Sequence, residues 1–247
     1  LTRSSPFSQM LGPGETYQGE PGTMFHMSDG MKQRARFAGW RVFTGEGLAK
    51  IQFTNHGAGP GYLGLTPNMP MALVVPFDVS SYGTLNCKRG AFMAGDESVK
   101  VMPKILPARS AAACCCGGMP PIIQELSGTG TALLNAGGTV MMKQLAPGEK
   151  LLVDTHSVVA FSNTVGYDVR QVGDFATCCL GGEGCFNTEL TGPGTIYLQT
   201  LSWEKLIKML LRGGGGGKKK NAEGNAAGAL IGALGGGAPL AGEEMER

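Results

Sequence analysis

The chain has 247 residues, of which 42% are hydrophobic, with a mean hydropathy of zero and a formal net charge of +2. The near-neutral charge argues against a broad basic surface for nucleic acid, and no run approaches the roughly 18 apolar residues of a membrane-spanning helix. Glycine contributes 41 residues, more than twice its usual share, which favours short strands joined by many tight turns.

A first β unit begins near Met10. Its turns fall at Gly12-Pro13-Gly14-Glu15 and Glu20-Pro21-Gly22, and a hairpin closes at Ser28-Asp29-Gly30. A second unit runs from Leu48 through a turn at Gly59 to a strand at 71–75, which Pro76 is predicted to end, and residues 85–95 are predicted as strand, tight turn and strand.

Residues 102–121 differ from the rest because they contain four prolines, which exclude a central strand. We therefore predict an irregular surface insertion, and its apolar, uncharged middle favours packing on a partner. Cys114, Cys115 and Cys116 lie in that middle and are predicted to contact the partner. Adjacent cysteine side chains point apart, so we expect them to act as small hydrophobic groups in a reducing compartment, without a metal or mutual disulfide.

A Gly-x-Gly turn followed by a strand occurs three times, at 59–61, 128–130 and 192–194, about 65 to 70 residues apart. A single such turn means little, but three in matching context predict a repeated β unit. After the last turn, Thr195 and Tyr197 alternate with Ile196 and Leu198, which is typical of a half-buried strand.

One helix is predicted after this strand. Ser202 is a suitable N-cap, Glu204 lies in the first turn, and Gly213 can end the helix. Apolar residues recur at helical spacing at Trp203, Leu206, Ile207, Leu210 and Leu211. We predict that this face docks on the sheets, with a partner-binding role as the alternative.

The sequence therefore divides into a β domain at 1–212 and a tail at 213–247. The tail has five glycines, a small-residue stretch and an acidic end, a composition that does not fold by itself. We predict that it binds neighbouring chains through Lys218, Lys219, Lys220, Leu230, Ile231 and Leu234. The lysines would assist contact with anionic lipid or an acidic protein surface without anchoring it.

Several segments together resemble the mitochondrial-biogenesis family called "altered inheritance of mitochondria". They are Pro147-Gly148-Glu149-Lys150-Leu151-Leu152-Val153-Asp154, Val159-Ala160-Phe161, Gly181-Gly182-Glu183-Gly184, and residues 190–200, with weaker matches at 22–24 and 89–94. The resemblance implies the tryptophan RNA-binding attenuator-like fold, a double-stranded β-helix or β-sandwich. It also implies an organellar protein that supports inner-membrane organisation and respiratory complexes. The insertion, the tail and Cys185-Phe186 depart from the family pattern, and the resemblance supplies no catalytic residues.

No catalytic, cofactor-binding or metal-binding residues are predicted. His26, His56 and His156 each stand alone in a strand or turn, whereas metal sites of this fold need clustered ligands. Asp154 and His156 lack the Gly-x-Ser-x-Gly elbow of a hydrolase, and Asp154 is predicted to cap a turn. RNA binding is not expected, because only Lys88-Arg89 occupies a strand-end position comparable to the basic ring of the superfamily's namesake.

We therefore expect an all-β protein of about three repeated units, with one short C-terminal amphipathic helix and an irregular tail. The expected function is a non-enzymatic, peripheral scaffold or assembly subunit of an organellar membrane complex, either a respiratory complex or an algal photosystem. It would bind other subunits through sheet edges, the insertion and the tail. The alternative is a self-assembling organelle protein that organises the inner membrane and binds a small hydrophobic ligand or lipid between its sheets.

Overall fold

A computed structural model describes residues 6–37, 49–69, 71–106, 122–171 and 186–213. These ranges contain eighteen strands, two short 3-10 helices and one α-helix. The elements are β1 (Phe7–Leu11), β2 (Thr16–Gly19), β3 (Met24–Met27), β4 (Met31–Phe37), β5 (Ala49–Asn55), β6 (Gly61–Leu65), β7 (Ala72–Asp78), β8 (Thr84–Cys87), β9 (Phe92–Asp96), β10 (Lys100–Ile105), β11 (Ile122–Ser127), β12 (Thr131–Gly137), β13 (Val140–Leu145), β14 (Lys150–Val153), β15 (Val158–Ser162), β16 (Gly166–Gln171), β17 (Phe186–Thr191), β18 (Gly194–Gln199) and α1 (Trp203–Gly213).

The strands form three units of six, β1–β6, β7–β12 and β13–β18, with the same internal pairing in each. In each unit the sixth strand lies between the first and the third, and the fifth strand lies between the fourth and the second. Each unit is thus a small sandwich of two three-stranded sheets. The Gly-x-Gly turns at 59–61, 128–130 and 192–194 introduce the sixth strand of each unit. The predicted threefold repeat is confirmed, but the predicted start of the second unit at Leu48 is wrong, because β5 and β6 pair within the first unit.

Successive units are joined edge to edge. β2 of the first unit pairs with β9 of the second, and β8 of the second pairs with β15 of the third. Four sheets result, which we number along the stack: β1-β6-β3, β4-β5-β2-β9-β12-β7, β10-β11-β8-β15-β18-β13, and β14-β17-β16.

Three apolar clusters of described residues lie between these sheets, and each unit contributes most of one. The first core contains Tyr17, Phe53 and Leu63, the second contains Phe77 and Leu85, and the third contains Phe161, Leu190 and Ile196. The first core also takes Met93 and Leu133 from the second unit, and the second takes Val159 and Tyr197 from the third. Each unit therefore completes the core of the unit before it.

The prediction that the strand after Gly194 is half-buried is wrong. Tyr197 packs in the second core, with its ring edge-on to Phe77 at 4.7 Å, while Ile196 and Leu198 pack in the third core. β18 is buried on both faces because the third sheet lies between two other layers. Strict alternation identifies a strand, but it does not show whether the second face is covered.

Prolines fall on edge strands rather than at strand ends. Pro76 lies within β7, so the prediction that it ends this strand is wrong, and Pro103 lies within β10. Both strands lie at sheet edges among the described residues, where proline's missing N–H need not bond a neighbour. The prediction of an irregular insertion is wrong for residues 102–105, which are strand. Residues 107–121 lie outside the described ranges.

Helix α1 runs from Trp203 to Gly213, as predicted, but its apolar face is only partly buried. The Ser202 hydroxyl accepts a hydrogen bond from the Lys205 backbone N–H at 3.2 Å, which confirms the N-cap. Leu206 and Ile207 are buried, but Leu210 and Leu211 are exposed. Only the first half of the predicted apolar face docks on the β domain.

Removing the Tyr17 hydroxyl is expected to stabilise the fold. This hydroxyl is buried without a hydrogen-bond partner among the described residues, and burial, with the nearby charge of Asp96, raises the pKa of Tyr17. We expect Tyr17→Phe to raise the free energy of unfolding by about 1 kcal/mol, since an unpaired buried hydroxyl is costly. Tyr197→Phe is the matched control and should lower it by about 1 kcal/mol, because that hydroxyl bonds the Tyr82 hydroxyl. Urea unfolding measures both, and a less stable Tyr17→Phe variant would contradict the structure.

Candidate functional site

The histidines do not come together. His26 lies on the outer face of the first sheet with its ring over Gly64, His56 follows β5 at the surface, and His156 lies near α1. Within the described ranges, no group of three or more His, Cys, Asp or Glu side chains is arranged to hold a metal ion.

A surface cleft beside the β1–β2 turn contains three carboxylates, each with a hydrogen-bond partner. Asp96 accepts from the Thr131 backbone N–H at 2.6 Å, and Glu15 accepts from that of Gly12 at 2.7 Å. Glu97 accepts from the Gln52 side chain at 3.1 Å. These bonds fix turns and strand edges, so the carboxylates have a structural role.

The densest charged cluster fastens α1 to the β domain. Asp154 accepts a hydrogen bond from the His156 backbone N–H at 2.9 Å, which confirms the predicted turn cap, and pairs with Lys205 of the helix at 2.7 Å. Glu204, also on the helix, pairs with Lys88 at 3.1 Å and lies 3.6 Å from His156 Nδ1. We call these five side chains the helix anchor.

Both carboxylates of the helix anchor are ionised at neutral pH. Burial of Glu204 opposes ionisation, but the contact with His156 and the charge of Lys88 outweigh it and hold its pKa well below 4.5. Burial likewise opposes ionisation of Asp154, whereas Lys205 and the His156 backbone N–H lower its pKa. Carboxylates held in this form suit ion pairing rather than proton donation.

The helix anchor is expected to weaken in acid. A carboxylate with a lowered folded-state pKa contributes full stability above its ordinary pKa, 4.5 for Glu204, and loses it as the pH falls toward the folded-state value. We expect the fluorescence of Trp203, in a Trp40→Phe background, to change below that pH. Glu204→Gln should show the acid-like emission already at neutral pH, whereas Glu97→Gln should behave as the parent. A Glu204→Gln emission identical to the parent at every pH would refute the anchoring role.

Among the exposed apolar side chains of the described residues, we define two surfaces. The first-sheet face consists of Met10, Phe25 and Tyr62, which project from three paired strands, with Met10 directly opposite Tyr62. The helix tip consists of Met209, Leu210 and Leu211 in the second half of α1. Clustered exposed apolar side chains are typical of protein-binding surfaces.

The residues predicted to bind partners lie outside the described ranges. They are Cys114, Cys115, Cys116, Lys218, Lys219, Lys220, Leu230, Ile231 and Leu234. The first-sheet face was not predicted from the sequence. Its signal was the run Met24-Phe25-His26-Met27, in which no charged residue marks a solvent-facing side.

These features define a class of protein, a β-sandwich built from three repeated units. The chain belongs to the family described as mitochondrial biogenesis AIM24, whose model matches residues 4–201. The family resemblance found in the sequence is thereby confirmed.

Two similar proteins come from a bacterium. An uncharacterized protein of Streptococcus pyogenes serotype M6 is 32% identical over 154 residues, which are 62% of this chain and 60% of that protein. The match thus spans about three fifths of the relative's length. The crystal structure of a Streptococcus pyogenes protein superposes with a TM-score of 0.67 at 24% identity, covering 85% of this chain and 97% of that one. This likeness supports the all-β fold, which is confirmed.

Proposed function

We propose that the protein is a non-enzymatic scaffold subunit, peripheral to a mitochondrial membrane bioenergetic complex, and that it binds a neighbouring subunit through the helix tip. The observation that carries this proposal is the division of α1 into a fixed half and an exposed half. Leu206 and Ile207 are buried, whereas Met209, Leu210 and Leu211 are exposed one turn later.

The helix anchor explains why this arrangement suits docking. Lys88 and Asp154 lie on the turns that follow β8 and β14, and they pair with adjacent residues of the helix, Glu204 and Lys205. Two partly buried ion pairs fix the direction of α1 better than one exposed pair would. Because the helix is already fixed in direction, binding through its tip does not carry the entropy cost of ordering the helix.

The mitochondrial setting has separate support. The family description names mitochondrial biogenesis, which favours a mitochondrial over a plastid complex. The bacterial relative indicates that the β domain itself does not depend on an organelle. No helix within the described ranges is long and apolar enough to cross a membrane, and a peripheral position agrees with that finding.

The alternative, a hydrophobic ligand or lipid between the sheets, lacks a supporting observation. In the part of the chain that the structure describes, buried side chains of the three cores lie between the four sheets. A ligand there would have to displace core side chains, which is costly in a close-packed interior.

Blue native electrophoresis of solubilised mitochondrial membranes tests the proposal. We expect the full chain to migrate with a respiratory complex and Leu210→Glu to move into the free fraction. Ile105→Glu, at an exposed apolar position on edge strand β10, is the control and should stay with the complex. A wild-type chain that migrates freely would overturn the scaffold role. Comigration that survives Leu210→Glu would overturn the role of the helix tip.

A further inference from the structure

Two strands at the ends of the repeat lack the neighbour that their equivalents have. β9 and β15, the third strands of the later units, each pair with the second strand of the preceding unit, β2 or β8. β3 is the third strand of the first unit and β14 the second strand of the last, and among the described residues each pairs on one side only. We propose that β14 of one copy pairs antiparallel with β3 of a second copy, which repeats the internal junction between molecules.

The internal junctions predict the register of this pairing. Gly19 lies opposite Ala94 at the first junction, and Cys87 lies opposite Ala160 at the second. In each unit the second strand pairs with the fifth, and this pairing makes Val153 equivalent to Gly19 and Cys87. The third strand pairs with the sixth, and this pairing makes His26 equivalent to Ala94 and Ala160. Val153 of one copy should therefore lie opposite His26 of the next, and Leu152 opposite Met27.

A backbone hydrogen bond recurs at both internal junctions. The Glu20 N–H donates to the Met93 carbonyl at 2.8 Å, and the Lys88 N–H donates to the Val159 carbonyl at 2.9 Å. The equivalent bond between molecules joins the Asp154 N–H to the Phe25 carbonyl. Two matching junctions in one chain show that this edge geometry is compatible with the fold.

Side-chain exposure follows the same pattern. Met93 is 0% exposed and completes the first core, and Val159 is 2% exposed and completes the second, whereas Phe25 at the equivalent position is 64% exposed. Val153 belongs to the third core and lies on β14, an outer strand of the fourth sheet. Phe25 of a second copy would complete that core as Met93 and Val159 complete theirs.

The other side of the junction shows the converse. Leu152 is 47% exposed, but its equivalents Gln18 and Asn86 are 8% and 2% exposed, because a following unit covers them. The proposed register places Met27 of the next copy opposite Leu152, and two apolar side chains suit this pairing. Lys150, a residue type that often protects an edge strand from pairing, has its charge paired with Glu189 at 3.1 Å.

The contact is heterologous, because β3 meets β14 and not its own copy. Each added copy again presents one free β3 and one free β14, so the assembly either closes into a ring or continues as a filament. This self-association uses neither the helix tip nor a membrane complex, and it stands independently of the scaffold role.

Mass photometry and light scattering of the purified full chain test the proposal at micromolar concentration. Wild type should form oligomers, whereas Phe25→Asp and Leu152→Asp should each be monomeric. An equimolar mixture of the two variants should form dimers and nothing larger, because only the β14 of Phe25→Asp and the β3 of Leu152→Asp remain intact. Phe37→Asp, at an exposed position on β4, is the control and should oligomerise as wild type does.

Circular dichroism melting establishes that each variant is folded. We expect both variants to fold, because Phe25 and Leu152 are exposed. A monomeric wild type would overturn the proposal, and so would oligomers that withstand both substitutions or a mixture that fails to dimerise. A homo-oligomer that never joins a membrane complex would leave the proposal standing and refute only the scaffold role.

Discussion

Replacing Gly128 by alanine is expected to lower the free energy of unfolding by about 3 kcal/mol. Gly128 begins the second Gly-x-Gly turn with a φ of +103°, a conformation that side-chain-bearing residues rarely adopt. A Cβ there would lie 2.3 Å from the Ser98 carbonyl oxygen, a backbone atom that cannot rotate away. The steric overlap and the backbone strain add, and urea unfolding measures their sum.

Gly59 provides the matched control, because it begins the equivalent turn of the first unit. A Cβ at Gly59 would meet nothing within 4 Å, and its φ lies outside the left-handed region. Gly59→Ala should therefore change the free energy of unfolding by less than about 0.5 kcal/mol. Equal effects of the two substitutions would contradict the turn geometry.

Replacing Phe161 by alanine is expected to cost about 3 to 5 kcal/mol, the usual range for a buried phenylalanine. Phe161 is fully buried in the third core, where its ring stacks on Tyr167 with centroids 5.7 Å apart. It also lies on β15, which joins the second and third units through β8. The cavity would therefore open beside a junction. The hydrogen-bonded strands there cannot move enough to fill it.

The control is Phe37→Ala, since Phe37 has the same side chain in an exposed position at the end of β4. We expect a change within about 0.5 kcal/mol, measured by the same urea unfolding. A Phe161→Ala loss as small as that of Phe37→Ala would show that the third core is not packed as described.

The repeat was accessible from the sequence because its signal is local. The second and third Gly-x-Gly turns need glycine, because a Cβ at Gly128 or Gly192 would overlap a backbone carbonyl oxygen. The strand that follows each turn alternates visibly. The caps at Ser202 and Asp154 were predictable for the same reason, since a cap bonds backbone N–H groups only two or three residues away.

What the sequence could not supply is which faces and edges find a neighbour. Pro76 signals a strand end in general, but β7 lies at a sheet edge where proline is tolerated. Tyr197 alternates with Ile196 as in a half-buried strand, and only the stacking of sheets buries both. Leu206 and Leu210 fall on one helical face, yet the β domain covers only the first. Each outcome depends on residues far away in the chain.

Both proposals follow from surfaces that the three-unit stack leaves uncovered. The β3 edge, which carries Phe25, and the β14 edge are the two ends of the repeat. They suit a second copy, because internal units already cover the equivalent positions. The helix tip lies outside the repeat and has no equivalent within it. The repeat therefore gives no reason to expect a second copy there, and we assign the helix tip to another protein. The two surfaces can therefore be tested by separate substitutions.

Cross-linking mass spectrometry on intact mitochondrial membranes tests most directly whether the protein acts as a scaffold. Lys205 lies on the helix, four residues before the helix tip begins, and its side chain is partly exposed. The account predicts cross-links from Lys205 to subunits of one membrane complex, and their loss in Leu210→Glu. Cross-links confined to copies of this chain, with the protein recovered in the soluble fraction, would contradict it.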